Sequence, residues 1–74
     1  MKFVSGDLVV RKYSGHISLD SEIEWTRTMW YENDVGVVLA SGFKHHAWKT
    51  DLVKVLLPTG IAYIEAQNII EVKL

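Results

Sequence analysis

Short apolar runs rich in β-branched residues fill the second half of the 74-residue chain. Turn residues separate these runs, most clearly Pro58-Thr59-Gly60, where proline presets φ and glycine accepts a positive φ. Runs of this length between turn residues are typical of β-strands. The pattern therefore predicts an antiparallel meander with strands at Val35–Leu39, Leu52–Leu57, Ile61–Ile64 and Ile69–Val72.

Three further local signals complete this prediction. The turn residues Gly6-Asp7 precede another β-branched run, which predicts a first strand over Leu8–Tyr13. A glycine inside a strand, here Gly36, indicates a bulge or a bend. Ala66–Asn68 is long enough for only a single 3₁₀ turn.

Alternation along each strand predicts which side chains face the core. Side chains point to opposite faces with a period of two, so Val53, Val55 and Leu57 share one face while Leu52, Lys54 and Leu56 share the other. The inward residues that we expect include Val37, Val53, Val55, Ile70 and Val72.

Five short strands with one long first connection predict an all-β fold, a small closed barrel in a single domain over residues 1–74. Closure would remove the exposed sheet edges. The connection, Ser14–Glu32, is too apolar for plain disorder. We expect this connection either to fold over the barrel mouth or to form a hairpin of its own. Polar and apolar residues alternate in Ser21–Thr26, which favours an extended arm.

Composition excludes several classes of protein. The chain has no cysteine, so it holds neither a disulfide nor a thiolate metal site. Its formal net charge of −1 provides no general attraction to nucleic acid or anionic membrane. It has neither the pattern of a signal peptide nor a membrane-spanning run, so we expect a cytoplasmic protein.

The strand pattern resembles an SH3-like barrel over most of the chain. The resemblance depends on the Gly6-Asp7-Leu8-Val9 opening, Asn33–Val38, the Val53–Gly60 strand and turn, and Asn68–Val72. The Gly-Asp-Leu-Val opening is similar to uncharacterised small barrel proteins of tailed phages. Trp30–Val38 is also similar to a stretch of the PsaE subunit of photosystem I, which implies docking on an electron-transfer complex.

Catalytic and metal chemistry find little support in the residue pattern. No nucleophile elbow surrounds any serine, and no glycine-rich loop precedes a helix. His45 and His46 are adjacent, so on an extended loop they point in opposite directions and do not chelate one ion. We expect no enzyme activity, no cofactor and no metal.

Aromatic residues in and beside the loops are the strongest indication of a binding surface. SH3-like barrels, by resemblance, place a groove between their first two long loops, and aromatic and acidic residues there suit a proline-rich or basic peptide. Alternatively, the tryptophans plug the barrel ends or form a homo-oligomer contact. The candidate contact residues are Trp25, Trp30, Tyr31 and Trp48, with Glu22, Glu24 and Asp34 setting the charge preference.

The predicted function is therefore a non-catalytic protein-interaction module, such as a self-associating phage accessory factor. One alternative is a PsaE-like docking subunit. The other is a nucleic-acid-binding protein, because small barrels bind single strands through aromatic residues interleaved with basic ones. That alternative would use Lys44, His45, Lys49 and Lys54.

Overall fold

A computed structural model describes residues 3–15, 17–21, 26–43 and 51–73 of the chain. Strands and a single 3₁₀ turn account for the regular structure of these residues, which confirms the predicted all-β class. In chain order the elements are β1 (Leu8–Arg11), β2 (Ile17–Ser21), β3 (Thr26–Trp30), β4 (Gly36–Phe43), β5 (Leu52–Leu57), β6 (Gly60–Glu65), the 3₁₀ turn (Ala66–Asn68) and β7 (Ile69–Glu71).

Five strands form one antiparallel sheet in the order β6-β5-β4-β1-β7. Strands β5 and β6 and the 3₁₀ turn lie where the sequence predicts them, whereas β4 runs past its predicted end at Leu39 to Phe43. Strand β7, predicted as the last strand of the meander, pairs with β1 instead. The long first connection contains a separate hairpin, in which Ile17 pairs with Trp30 and Ser21 pairs with Thr26. The hairpin alternative for this connection is therefore confirmed.

The predicted closed barrel is wrong, because β6 and β7 are the two edges of the sheet and do not pair with each other. Part of the β2–β3 hairpin lies beside β6 instead. The Thr28 hydroxyl donates a hydrogen bond of 2.6 Å to the Ile61 carbonyl, and the Thr59 hydroxyl donates one to the Met29 carbonyl. Contacts with the hairpin therefore replace those that closure would give β6.

One face of the sheet carries the core. Val53 and Val55 are buried as predicted. Ile70, however, is 47% exposed and its neighbour Ile69 only 4%, so the predicted inward position of Ile70 is wrong. The cause is the register, since Ile70 pairs with the partly exposed Val10 on the outer face. Val37 and Val72 were also predicted to face inward, and this is wrong as well. Val37 pairs with the exposed Leu56 and with Leu8, to which Val72 is hydrogen-bonded, so both valines lie on the outer face and are only partly buried. The core cluster comprises Phe3, Val9, Trp30, Val38, Val53, Val55, Leu57, Ala62, Ile64 and Ile69.

Strand β4 is irregular, but not at the predicted position. Its register against β5 shifts between Val38 and Phe43, well after Gly36. Glycine is needed at position 36 because side chains of β5 lie close to the backbone of β4 there. A Cβ atom at this position would lie 2.3 Å from Cγ1 of Val55 and 3.1 Å from Cδ2 of Leu57.

The substitution Gly36→Ala is expected to lower the free energy of unfolding by about 1–3 kcal/mol, the usual cost of overpacking a core. Val55 is β-branched and has little rotamer freedom with which to move away. Urea denaturation of the variant measures the loss. In a Val55→Ala background the same substitution should cost clearly less, because the clashing methyl group is gone. Equal costs in both backgrounds would contradict the close-approach explanation.

Candidate functional site

A groove of about 350 Å³ opens where β1 ends and where β3 turns into β4. One wall consists of residues 10–14 and the other of residues 30–34. We call it the Tyr13–Tyr31 groove. Both walls belong to segments that flank the β2–β3 hairpin, so the hairpin's insertion between β1 and β4 brings them together.

Trp30 connects this groove to the core. Its side chain is 1% exposed, yet it also lines the groove. Its indole N–H donates a hydrogen bond of 3.1 Å to the Asp34 carbonyl. A buried indole normally needs such a partner. Of the two alternatives for this tryptophan, the core position is therefore the one that the structure supports.

The turn after Trp30 is held by its own backbone. The Asp34 amide donates a hydrogen bond of 3.0 Å to the Tyr31 carbonyl. Asn33 has φ of 74°, a left-handed conformation that asparagine tolerates better than most residues. The turn therefore presents Tyr31 and Glu32 on a defined backbone.

A side-chain contact ties the two walls together. The Glu32 carboxylate accepts a hydrogen bond from the Gly15 backbone amide. Gly15 directly follows the first wall and Glu32 belongs to the second. This contact sets the separation of the walls, although both partners lie near the surface.

Two tyrosine rings border the groove. Tyr13 is 67% exposed and Tyr31 is 43% exposed, and they lie on opposite walls. An exposed tyrosine presents a large apolar area with a polar end, and such residues are enriched where proteins bind partners. The groove thus combines two exposed aromatic side chains, Tyr13 and Tyr31, with the buried ring of Trp30, which we call its floor.

Opposite charges lie on opposite walls of the groove. Arg11 and Lys12 belong to the first wall, and Glu32 and Asp34 belong to the second. Nε of Arg11 is buried and has no hydrogen-bond partner among the residues that the structure describes. The described part of the site is therefore balanced in charge, whereas the sequence led us to expect an acidic surface.

The candidate contact residues have separate outcomes. Tyr31 and Asp34 line the Tyr13–Tyr31 groove, while Trp30, which also lines it, is buried. The second loop of the predicted groove does not line this one, so contact of these residues with a partner stays a prediction. The remaining four, Trp25, Trp48, Glu22 and Glu24, lie outside the described residues.

Of the residues proposed for the alternative basic surface, the structure describes Lys54 alone. Its Nζ lies 6.0 Å from the centroid of the Tyr63 ring, within the range of a cation–π contact. Lys44, His45 and Lys49 lie outside the described residues, so nucleic-acid binding stays a prediction.

Sequence reasoning missed Tyr13, Arg11 and Lys12 as parts of the site. The run Leu8–Tyr13 was interpreted as one strand, but β1 ends at Arg11 and Tyr13 lies beyond it in a bend. The following Ser14-Gly15 was the available signal, because such a pair ends a strand and leaves the preceding side chain beside a loop.

In the described ranges of the chain, no group of three or more histidine, aspartate or glutamate side chains is arranged to hold a metal ion. These ranges also contain no helix with the length and apolar character needed to cross a membrane.

Comparison with known proteins gave no family assignment: no family model, no curated protein and no solved structure matches the chain.

Trp30→Phe keeps the buried ring but removes the indole N–H. It is expected to lower the free energy of unfolding by about 1 kcal/mol, the typical contribution of one hydrogen bond. Trp30→Ala removes the ring as well and should cost about 3–5 kcal/mol. Urea denaturation followed by circular dichroism measures both. An unfolding curve for Trp30→Ala that matches the parent protein would show that Trp30 is not part of the core.

Glu32→Ala removes the contact that ties the walls together. The Gly15 amide should then exchange its hydrogen with solvent several-fold faster, because its protection depends on that bond. Amide exchange measured by NMR tests this prediction. Glu32→Gln retains a side-chain oxygen and serves as the matched control, with partial protection expected. Unchanged exchange at Gly15 in Glu32→Ala would contradict the contact.

Proposed function

We propose that the protein is a non-catalytic protein-interaction module that binds an extended peptide across the Tyr13–Tyr31 groove. The observation that carries this proposal is the pair of exposed tyrosines on opposite walls above a fixed tryptophan floor. Small barrels and sheets with aromatic-lined grooves recognise peptides in this way, since a pre-extended segment loses little entropy on binding.

An SH3-like architecture is the fold that we propose for this module. The strand order supports it, because the last strand lies beside the first and the remaining three strands form a meander. A hairpin in the long first connection and a 3₁₀ turn before the last strand also support it. In this proposal the sheet is an open variant of the barrel.

The groove's charges favour a particular peptide. Proline rings pack well on tyrosine faces, and a basic residue would be attracted to the wall that carries Glu32 and Asp34. Arg11 and Lys12 on the opposite wall would repel a second basic residue and accept an acidic one. We therefore propose a proline-rich segment with a basic residue at one side.

A phage accessory factor is the biological setting that we propose, on the likeness of the Gly6-Asp7-Leu8-Val9 opening to the small phage barrels. A PsaE-like docking role would also use a non-catalytic surface. Identifying proteins captured by the chain, with the groove variants below as controls, would separate these settings.

Tyr13→Ala and Tyr31→Ala are each expected to weaken peptide binding about tenfold, the usual loss when an aromatic contact residue is truncated. The probe is a synthetic proline-rich peptide with one arginine at one end, titrated into isotope-labelled protein and followed by NMR. Chemical shifts of residues 10–14 and 30–34 should change most.

The matched control is Val4→Ala, since Val4 is 62% exposed and does not line the groove. It should bind like the parent protein. A scrambled peptide with glutamate in place of arginine should bind more weakly. If millimolar peptide moves no signal of residues 10–14 or 30–34, or if both tyrosine variants bind normally, the proposal fails.

A further inference from the structure

The edge strand β7 has a neighbour on one side alone within the described sheet, where it pairs with β1. The Lys12 amide donates to the Asn68 carbonyl, and the Val72 amide donates to the Leu8 carbonyl. In an antiparallel pair the backbone groups of alternate residues point toward the partner. Residues 68, 70 and 72 therefore bond to β1, and the backbone groups of Ile69, Glu71 and Lys73 point away from it.

These outward groups are not equivalent. The Ile69 amide already donates to the Ala66 carbonyl in the 3₁₀ turn. Glu71 and Lys73 have exposed side chains, and no strand among the described residues pairs with their outward backbone groups. An incoming strand would therefore pair with Glu71 at the end of β7 and with Lys73, two residues beyond it.

A cleft of about 960 Å³ borders this part of the chain. Its lining residues are Lys12, Asp51, Ala66, Gln67, Ile69, Ile70, Glu71 and Lys73. Open space therefore adjoins Glu71 and Lys73.

The side chains of β7 favour a second copy of the same strand. Two antiparallel copies centred on Val72 place Glu71 of each chain opposite Lys73 of the other, which gives an attractive pair on each side. A shift centred on Glu71 would oppose two glutamates, and one centred on Lys73 would oppose two lysines. Centring on Ile70 would require the Ile69 amide, which the turn uses.

The same register also continues an apolar stripe on the outer face. Direct pairing places one aliphatic residue from each of β6, β5, β4 and β1 in a row, because paired residues share a face. The hydrogen bond from the Val72 amide to the Leu8 carbonyl adds Val72 to its end. We call it the aliphatic row, and its members are Ile61, Leu56, Val37, Leu8 and Val72. Pairing centred on Val72 brings the two Val72 side chains together at a closely spaced position, so the row runs unbroken through both copies.

We propose that β7 is a homodimer interface, in which two copies pair antiparallel about a two-fold axis at Val72 and form one continuous sheet. Each Glu71 exchanges backbone hydrogen bonds with the partner's Lys73, and their side chains form cross-strand ion pairs. Glu71, Val72 and Lys73 do not line the Tyr13–Tyr31 groove, so the dimer contacts do not use the residues of the proposed peptide site.

Charge substitutions test this interface in solution. Sedimentation velocity over a range of protein concentrations should show a monomer–dimer equilibrium for the parent chain. Glu71→Lys and Lys73→Glu each turn both attractive pairs repulsive, and each should weaken dimerisation about tenfold or more. The double variant Glu71→Lys/Lys73→Glu restores opposite charges and should dimerise like the parent chain.

Mixing the two single variants provides the sharpest readout. A Glu71→Lys chain and a Lys73→Glu chain are complementary, so native mass spectrometry of the mixture should show a heterodimer although neither variant dimerises well alone. Leu56→Lys and Leu56→Glu change the charge at a position that is 45% exposed on β5, which β4 and β1 separate from β7, and they should leave the dimer intact. Circular dichroism checks that each variant is folded.

Three results would overturn the proposal. The first is a parent chain that stays monomeric at millimolar concentration. The second is a dimer that tolerates both single variants. The third is a mixture with no heterodimer. A dimer lost in Tyr13→Ala but kept in Glu71→Lys would assign self-association to the groove instead, and would likewise contradict an interface at β7.

Discussion

The hydrogen bond from the buried indole of Trp30 to the Asp34 carbonyl joins the two functional parts of this small protein. On one side of it the ring contributes to the core between the sheet and the hairpin. On the other side the bond fixes the turn that forms one wall of the groove. In a domain this small the core is limited, so a groove supported by a core residue gains rigidity without additional structure.

Several elements could be predicted from sequence because local chemistry determines them. Alternation in Leu52–Leu57 assigns Val53, Val55 and Leu57 to the buried face, and their burial agrees. Pro58-Thr59-Gly60 reverses the chain by its own backbone preferences. The 3₁₀ turn occupies a segment too short for another element. Each of these features depends on few residues that are neighbours in the chain.

Other features depend on pairing between distant segments and could not be predicted. Ile69 and Ile70 are chemically identical, so only the register against β1 decides which one is buried. Whether the sheet closes depends on what lies beside β6. In this protein the β2–β3 hairpin lies there, and the hydroxyl groups of Thr28 and Thr59 donate hydrogen bonds between the hairpin and the start of β6. At the site, Tyr31 could be identified from its position in the loop, whereas the β-branched run before Tyr13 concealed the end of β1 at Arg11.

The insertion of the hairpin also has a consequence for how the chain folds. Strands β4, β5 and β6 follow one another and pair with their neighbours in sequence. Strand β1 differs, because Val9 pairs with Gly36 across the hairpin and with Glu71 near the opposite end of the chain. The entropic cost of loop closure therefore falls mainly on β1. The strand whose end supplies Val10 and Arg11 to the groove's first wall is thus the one whose pairing closes the longest loops.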